Sequence, residues 1–232
     1  MTTDEIKQAS QELETRSAED ILVWAADHFS GRLTFATSFG IEDCVVTDMA
    51  ARHKLPLDIF TLDTGLLFPE TYALWKQIEK RYDVTIKRVS PAHTVEEQGA
   101  HEGPELWGRD PDRCCDLRKM QPLRSTLSDY DAWVTAIRRD QTPERAHAPV
   151  VSWDARFGLI KINPLVRWKF DEVKAYVHDH NVPYNPLHDQ NYPSIGCVPC
   201  TSPVMPGEDP RSGRWRGSEK TECGLHFVKV RT

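Results

Sequence analysis

Short apolar runs of strand-forming residues alternate with helical patterns along most of the chain, and that alternation restricts the possible folds more than any other feature. Leu33-Thr34-Phe35-Ala36-Thr37 meets the turn Ser38-Phe39-Gly40, after which Ile41, Val45, Val46 and Met49 recur at helical spacing. The run 57–62 ends in Asp63-Thr64-Gly65, and a helix is predicted from Pro69 to about Arg81, with proline favoured in its first turn. Further strands are predicted at 84–89, 132–137 and 159–162, and a helix at 171–180. Ahead of them, residues 2–29 read as two short helices, the second capped by Ser17 before Glu19 and Asp20. The fold class is therefore α/β, with a mostly parallel sheet, helices on both faces and a ligand at the carboxyl ends of the strands.

At 232 residues the chain suits one domain. Within residues 1–232 we expect N-terminal helices over 1–30, an α/β core over 31–180 and an irregular region over 181–232. Seven prolines and no periodic apolar segment fall between Asn181 and Arg216, a composition that needs something to organise it. With 29 basic against 35 acidic side chains, a net charge of −6, the chain is not a nucleic-acid coat, although a local basic patch can still hold a small anion. No apolar run reaches the ~20 residues of a membrane span. The opening MTTDEIKQAS lacks a basic segment followed by an apolar one, so the expected location is the cytoplasm. In that reducing compartment the six cysteines point to metal ligands or reactive thiols rather than disulfides. A homo-oligomer is compatible with the sequence.

Four features carry chemistry. The turn Thr37–Asp43 opens a helix, where converging backbone amides and the helix dipole suit a phosphate or sulfate, but the same residues also make a plain strand-to-helix connection. It lacks the Gly-Lys-Ser/Thr ending of a Walker loop. The pairs Cys114-Cys115 and Cys197-Val198-Pro199-Cys200 suggest a metal site. Zinc, with Zn–S near ~2.3 Å, would draw sulfurs to roughly 3.8 Å from one another, which is awkward for adjacent residues; an iron-sulfur cube spreads them and is favoured. Four buried cysteines acting as small hydrophobes are the alternative. Cys223, in Glu222-Cys223-Gly224-Leu225-His226, is either an incidental tail cysteine or a thiol activated by His226 or Lys220. Finally, Arg211, Arg214, Arg216 and Lys220 cluster within ten residues, and Arg138-Arg139 follows a predicted strand end; such runs make a solvated face or grip a polyanion.

Together these motifs resemble the sulfonucleotide reductases, and within them the assimilatory adenylylsulfate (APS) reductases of the iron-sulfur type. The resemblance runs through TSFGIED (37–43), LDTGLLFPETY (62–72), CCDLRKMQPL (114–123), RRDQTP (138–143), IGCVPC (195–200), GEDPRSGRW (207–215) and ECGLH (222–226). It implies a sheet of the adenine-nucleotide α-hydrolase type, and a 4Fe-4S cluster held by Cys114, Cys115, Cys197 and Cys200. It also makes 31–180 the nucleotide-binding core and 181–232 a cluster loop with a mobile catalytic tail. Enzymes using the 3′-phosphorylated substrate (PAPS) typically lack these four cysteines, so their presence points to APS.

The family chemistry assigns Cys223 as nucleophile. Reduction of sulfate-level sulfur to sulfite takes two electrons, which a thiolate delivers together and a cluster normally does not. Attack on APS would leave an S-sulfocysteine and free AMP. A thioredoxin or glutaredoxin thiol would then release sulfite. By the same resemblance Lys119 lies between cluster and substrate, Arg145, Arg211, Arg214 and His226 position the phosphosulfate, Ser38, Phe39 and Gly40 line the nucleotide pocket, and Asp63 and Thr64 lie close by. One departure matters. Members of the wider fold that split ATP carry Ser-Gly-Gly-x-Asp-Ser at the first turn, where this chain has Ser-Phe-Gly-Ile-Glu-Asp, a change that argues against pyrophosphate binding. The competing readings are a PAPS reductase, an ATP-splitting adenylating or thiolating enzyme with an iron-sulfur site, and a zinc-stabilised module that contacts RNA or another acidic partner through 211–220.

Overall fold

The chain begins with α1 (Thr3–Leu13) and α2 (Ala18–His28), the second capped by Ser17, whose hydroxyl accepts the Asp20 amide at 3.0 Å. In the computed structural model, which describes residues 1–218 and Lys220, β1 (Leu33–Thr37) follows. Four of its five residues are buried, as a strand covered on both faces requires. Next come α3 (Ile41–Arg52), β2 (Asp58–Leu62), α4 (Pro69–Tyr82), β3 (Ile86–Val89), α5 (Val95–Glu102), α6 (Leu106–Arg109) and α7 (Pro111–Cys115). A π-helical turn, Asp116–Met120, joins α7 to α8 (Gln121–Leu127). Then follow β4 (Ala132–Val134), β5 (Val151–Asp154), β6 (Leu159–Ile162) and α9 (Phe170–Asp179).

The six strands form one sheet in the order β3-β2-β1-β4-β6-β5, parallel except for β5, which pairs antiparallel with β6 at the edge. Period-two side-chain alternation builds two apolar layers. Phe35, Ile59, Val134 and Ile160 pack beneath α2, α3, α4 and α9, through residues such as Leu22, Val45, Leu74 and Val173. Phe60, Trp133 and Leu159 face the other way, onto Leu123 and Leu127 of α8. Helices thus cover both faces.

The predicted elements occur, with shifted ends. The strand expected over 132–137 stops at Val134: the Thr135 amide still donates to the Ile162 carbonyl, and Ala136 and Ile137 stay buried, but the chain then leaves the ladder. The periodic pattern did not reveal β5, an edge strand of four residues, the short helices α6, α7 and α8, or α5, where Gln98 is the buried residue. Beyond Asn181 the described residues hold only short 3₁₀ turns, Pro186–Gln190 and Val198–Cys200, matching the irregular region expected from its prolines. Among the described residues no helix is long and apolar enough to cross a membrane.

Topology places the functional end of the molecule. The chain winds outward through β1, β2 and β3, then returns to lay β4 on the opposite side of β1, so the loops after β1 and β4 diverge and leave a crevice between them. The turn 38–40 lies at one wall of that crevice and Arg138 at the other. Replacing Ser17 by alanine should cost ~1 kcal/mol in chemical denaturation through loss of the cap, with an unchanged slope; wild-type stability would show that this side chain does not anchor α2.

Candidate active site

The two cysteine pairs arrive from opposite sides. Cys114 and Cys115 close α7, a helix started by Asp110, whose carboxylate accepts the Arg113 amide at 2.9 Å, and by Pro111 at its first position. Cys197 and Cys200 sit in a loop stapled to the segment after β2: the Val198 amide donates to the Leu66 carbonyl at 2.8 Å, Leu67 and Cys197 form an antiparallel bridge, and Thr64 Oγ1 lies 3.3 Å from Cys197 Sγ. All four cysteines line one small pocket, together with Leu66, Trp107, Arg118, Lys119 and Trp215. Among the described residues no group of three or more His, Cys, Asp or Glu side chains is placed to hold a metal ion.

The electrostatics of that pocket are unusual. Arg118, on the π-helical turn, is 3% exposed, yet its bonds go to neutral oxygens: Nε donates to the Thr64 carbonyl at 2.6 Å, and Nη1 to Gln98 Oε1 at 3.0 Å and the His93 carbonyl at 3.3 Å. π-Helical turns concentrate at functional sites. Burial drives the guanidinium pKa down, and the neighbouring Cys114, Cys197 and Asp63 oppose that shift. Burial, then the charge of Cys115, raises the Cys114 thiol pKa; burial and Cys197 push Cys200 up to about 11, with Lys119 pulling against them. A buried cation needs a counter-charge. Four thiols that lose their protons on binding an inorganic group would supply it, so the donor set and its surroundings fit an anionic metal-thiolate centre.

The turn after β1 is already filled from within. Asp43 Oδ2 accepts the Ser38 amide at 2.6 Å, the Ser38 hydroxyl at 2.7 Å and the Gly40 amide at 3.3 Å. The amides expected to face a phosphate therefore bind this chain's own carboxylate, and the turn does not form the open anion cradle considered from the sequence. Phe39, at φ 60°, turns its ring into the core, 1% exposed and stacked on Trp75 with centroids 5.7 Å apart; only its backbone remains at the turn. Ser38 stays exposed and Gly40 half-buried.

Asp63 and Thr64 act within the loop after β2. Asp63 accepts the Tyr72 hydroxyl at 2.6 Å and the Gly65 amide at 3.0 Å and lies 3.4 Å from Arg88 Nε, while Thr64 is fully buried against Cys197. Across the crevice, Arg138 Nε and Gln141 Nε2 both donate to Glu42 Oε1, at 3.0 and 3.1 Å, and Arg145 Nη1 donates to Gln141 Oε1 at 2.5 Å. Bonds from its own backbone amide and Thr142 hold Glu144 below the usual carboxylate range, assisted by the charges of Arg145 and Arg211. Arg214 packs over Gly196, donates to Ser194 Oγ at 3.3 Å and the Ile195 carbonyl at 3.2 Å, and stacks on Trp215 at 4.5 Å. It braces the segment that delivers Cys197.

Of the residues singled out from sequence, Cys114, Cys115, Cys197, Cys200 and Lys119 share one pocket, and Thr64 touches it. The charges of Arg145 and Arg211 both act on Glu144, and Ser38 and Gly40 stand at the turn after β1. Cys223 and His226 lie outside the described residues. Sequence reasoning missed Arg118 as the link between α7 and the loop after β2, although its spacing of three and four from the paired cysteines puts it on their side of the helix. It also missed Trp107, for which no sequence signal exists.

Residues 32–203 match the phosphoadenosine phosphosulfate reductase domain. The chain is 47% identical over 216 residues to the adenosine 5′-phosphosulfate reductase of Salinibacter ruber, covering 93% of this chain and 86% of that protein. It is 45% identical over 229 residues to the adenosine 5′-phosphosulfate reductase of Mycolicibacterium smegmatis, covering 97% of this chain and 96% of that protein. Among solved structures it is similar to phosphoadenylyl-sulfate (PAPS) reductase from Candida auris in its phosphate complex, with a TM-score of 0.79 and 32% identity over 88% of this chain and 98% of that one. The sheet is thus of the adenine-nucleotide α-hydrolase type.

Burial raises the Asp43 acid from the ordinary aspartate range to about 6, against the opposing bonds from Ser38. Because the folded pKa lies above the unfolded one, the folded state binds more protons between about pH 4 and 6, and stability falls as pH rises through that window. Replacing Asp43 by asparagine should remove up to about 3 kcal/mol of that pH dependence, read from denaturation midpoints at pH 4 and 7. An unchanged profile would show that Asp43 titrates normally.

Proposed function

The chain belongs to the phosphoadenosine phosphosulfate reductase family, oxidoreductases that reduce sulfonucleotides in sulfate assimilation, and from that membership we propose that it reduces APS to sulfite and AMP through an S-sulfocysteine on Cys223, with thioredoxin or glutaredoxin as the thiol donor in the cytoplasm. The observation that carries this proposal is the gathering of Cys114, Cys115, Cys197, Cys200 and Lys119 around one pocket below the loop that follows β2. The cysteines of such a site distinguish APS-using from PAPS-using members in the resemblance described above. The names of the curated relatives favour the same substrate.

The four pocket cysteines would hold a 4Fe-4S cluster, one per chain. When bound, it supplies a fixed charge distribution and organises the 181–216 segment. Four cysteines lining one pocket suit a group that gives each thiolate its own iron. Lys119, half-buried at the pocket, would place its ammonium between these sulfurs and the phosphosulfate. Arg145 and Arg211 add positive charge near the departing phosphate oxygen, where preorganised charge lowers the barrier. The Cys223 thiolate would attack the sulfur of APS. The bond from sulfur to the bridging phosphate oxygen breaks, AMP carries away that oxygen's electron pair, and the sulfonyl group stays on Cys223. A donor thiolate then attacks Cys223 Sγ and sulfite leaves with the electrons of the S–S bond. The donor's second thiol frees Cys223 and becomes oxidised in the donor disulfide.

The Asp43-filled turn also supports a substrate without pyrophosphate. The turn's amides and the Ser38 hydroxyl already serve a carboxylate, and Glu42 adds negative charge beside it.

Replacing Cys223 by serine should abolish sulfite release from APS, while iron content and nucleotide affinity persist. Incubation of wild-type protein with labelled APS alone should leave the label on the Cys223 peptide in mass analysis, and retained turnover by the variant would refute the nucleophile. Replacing Cys200 by alanine should lose iron and the visible absorbance of the purified protein; an unchanged iron content would show that Cys200 is not a ligand. Comparing APS with PAPS at equal concentration tests the substrate, with faster turnover of PAPS overturning the assignment.

A further inference from the structure

Glu42, Arg138, Gln141 and Arg145 form a chain of bonds across the crevice between β1 and β4, and the role of Gln141 in it follows from the chemistry of an amide. Its two ends differ, one accepting and the other donating, and the surrounding network decides which way each faces. The Gln141 carbonyl accepts two N–H groups, the Arg138 amide at 3.0 Å and Arg145 Nη1 at 2.5 Å. Its NH₂ end donates to Glu42 Oε1 at 3.1 Å, and that carboxylate can only accept. A flipped amide would set donors against donors and an oxygen against a carboxylate. Glu42 is itself fixed by Arg138 Nε at 3.0 Å, and the side chains of that pair are 15% and 6% exposed.

We propose that Gln141 is the positioning residue for Arg145, holding its guanidinium in the direction in which it meets the phosphosulfate, with Glu42 fixing the orientation of Gln141. The proposal rests on the functional reading above, in which Arg145 grips that group. A neutral amide suits the task. It fixes the direction of a guanidinium, 5% exposed in its residue, through a short bond that cancels none of the charge, whereas a carboxylate in its place would compete with the substrate's anionic oxygens. The arrangement also couples the two walls of the crevice. Glu42 stands on the first turn of α3, and Gln141 and Arg145 on the loop after β4, so separation of the walls would release Arg145.

The test uses the full-length, iron-replete protein and compares wild type with Gln141→Leu, Arg145→Ala and the double variant. Affinities for APS and for adenosine, which lacks the phosphosulfate, are measured by calorimetry beside KM, kcat, iron content and thermal midpoint. Gln141→Leu should weaken APS binding and raise KM by about tenfold, the effect of losing a bond to a charged group, while adenosine affinity and iron content stay at wild-type values. Adding Gln141→Leu to Arg145→Ala should cost nothing further, because the two act through one group. Glu42→Gln, which removes the carboxylate that orients the amide, should weaken APS by a smaller factor and serves where Gln141→Leu folds poorly. Wild-type APS affinity in Gln141→Leu, equal losses for APS and adenosine, or additive losses in the double variant would each overturn the proposal. A wild-type protein that binds no APS overturns the functional reading and this proposal together; one that binds APS equally well without Arg145 overturns this proposal alone.

Discussion

A guanidinium buried among neutral oxygens joins the two halves of the sulfur site. Arg118 reaches from the helical segment that carries Cys114 and Cys115 to the Thr64 carbonyl at the end of β2, and Thr64 in turn touches Cys197. The same side chain binds Gln98 of α5, so three parts of the chain meet on one cation. Its bonds relieve the donors without cancelling the charge. A buried positive charge of this kind is costly alone and favourable beside an anionic group, which makes its position next to four thiols part of the same design as the cysteines themselves.

That link explains why the segment after Asn181 is ordered without regular structure. Val198 ties it to Leu66 of the loop after β2, and within the segment Trp215 bonds the Cys200 carbonyl and Arg214 bonds Ser194 and Ile195. Trp215, 5% exposed at φ 47°, packs its indole over the pocket and takes the Arg214 and Lys220 cations against its ring. Such ties, in place of regular hydrogen bonding, hold the segment around the cysteine-lined pocket.

The crevice follows a different logic. Strand order alone creates it, but its chemistry comes from side chains that have already chosen partners. Asp43 closes the amides of the first turn, Glu42 and Gln141 tie the two walls, and Arg138 and Arg145 are buried beside them. The donors of the turn are thus taken by Asp43, while Arg138 and Arg145 stand on the opposite wall.

Much of this was legible in the residues themselves. Five of the six strands, the approximate positions of α1 to α4 and of α9, and the Ser17 cap follow from periodicity and capping chemistry, which are local properties. α5 had a readable signal in its Thr94–Glu97 capping box, but its polar sequence hid it from a search for apolar periodicity; β5 is a four-residue edge strand whose pairing is set by β6. The cysteine pairs announced a sulfur site by type and spacing. What the sequence by itself determined was therefore the inventory of elements and reactive groups. Tertiary structure alone decided that Cys197 meets Thr64, that Phe39 stacks on Trp75 and that Gln141 reaches Glu42. These are contacts between groups whose separation is set by the packing of the sheet and helices, and no local preference encodes the distance between them.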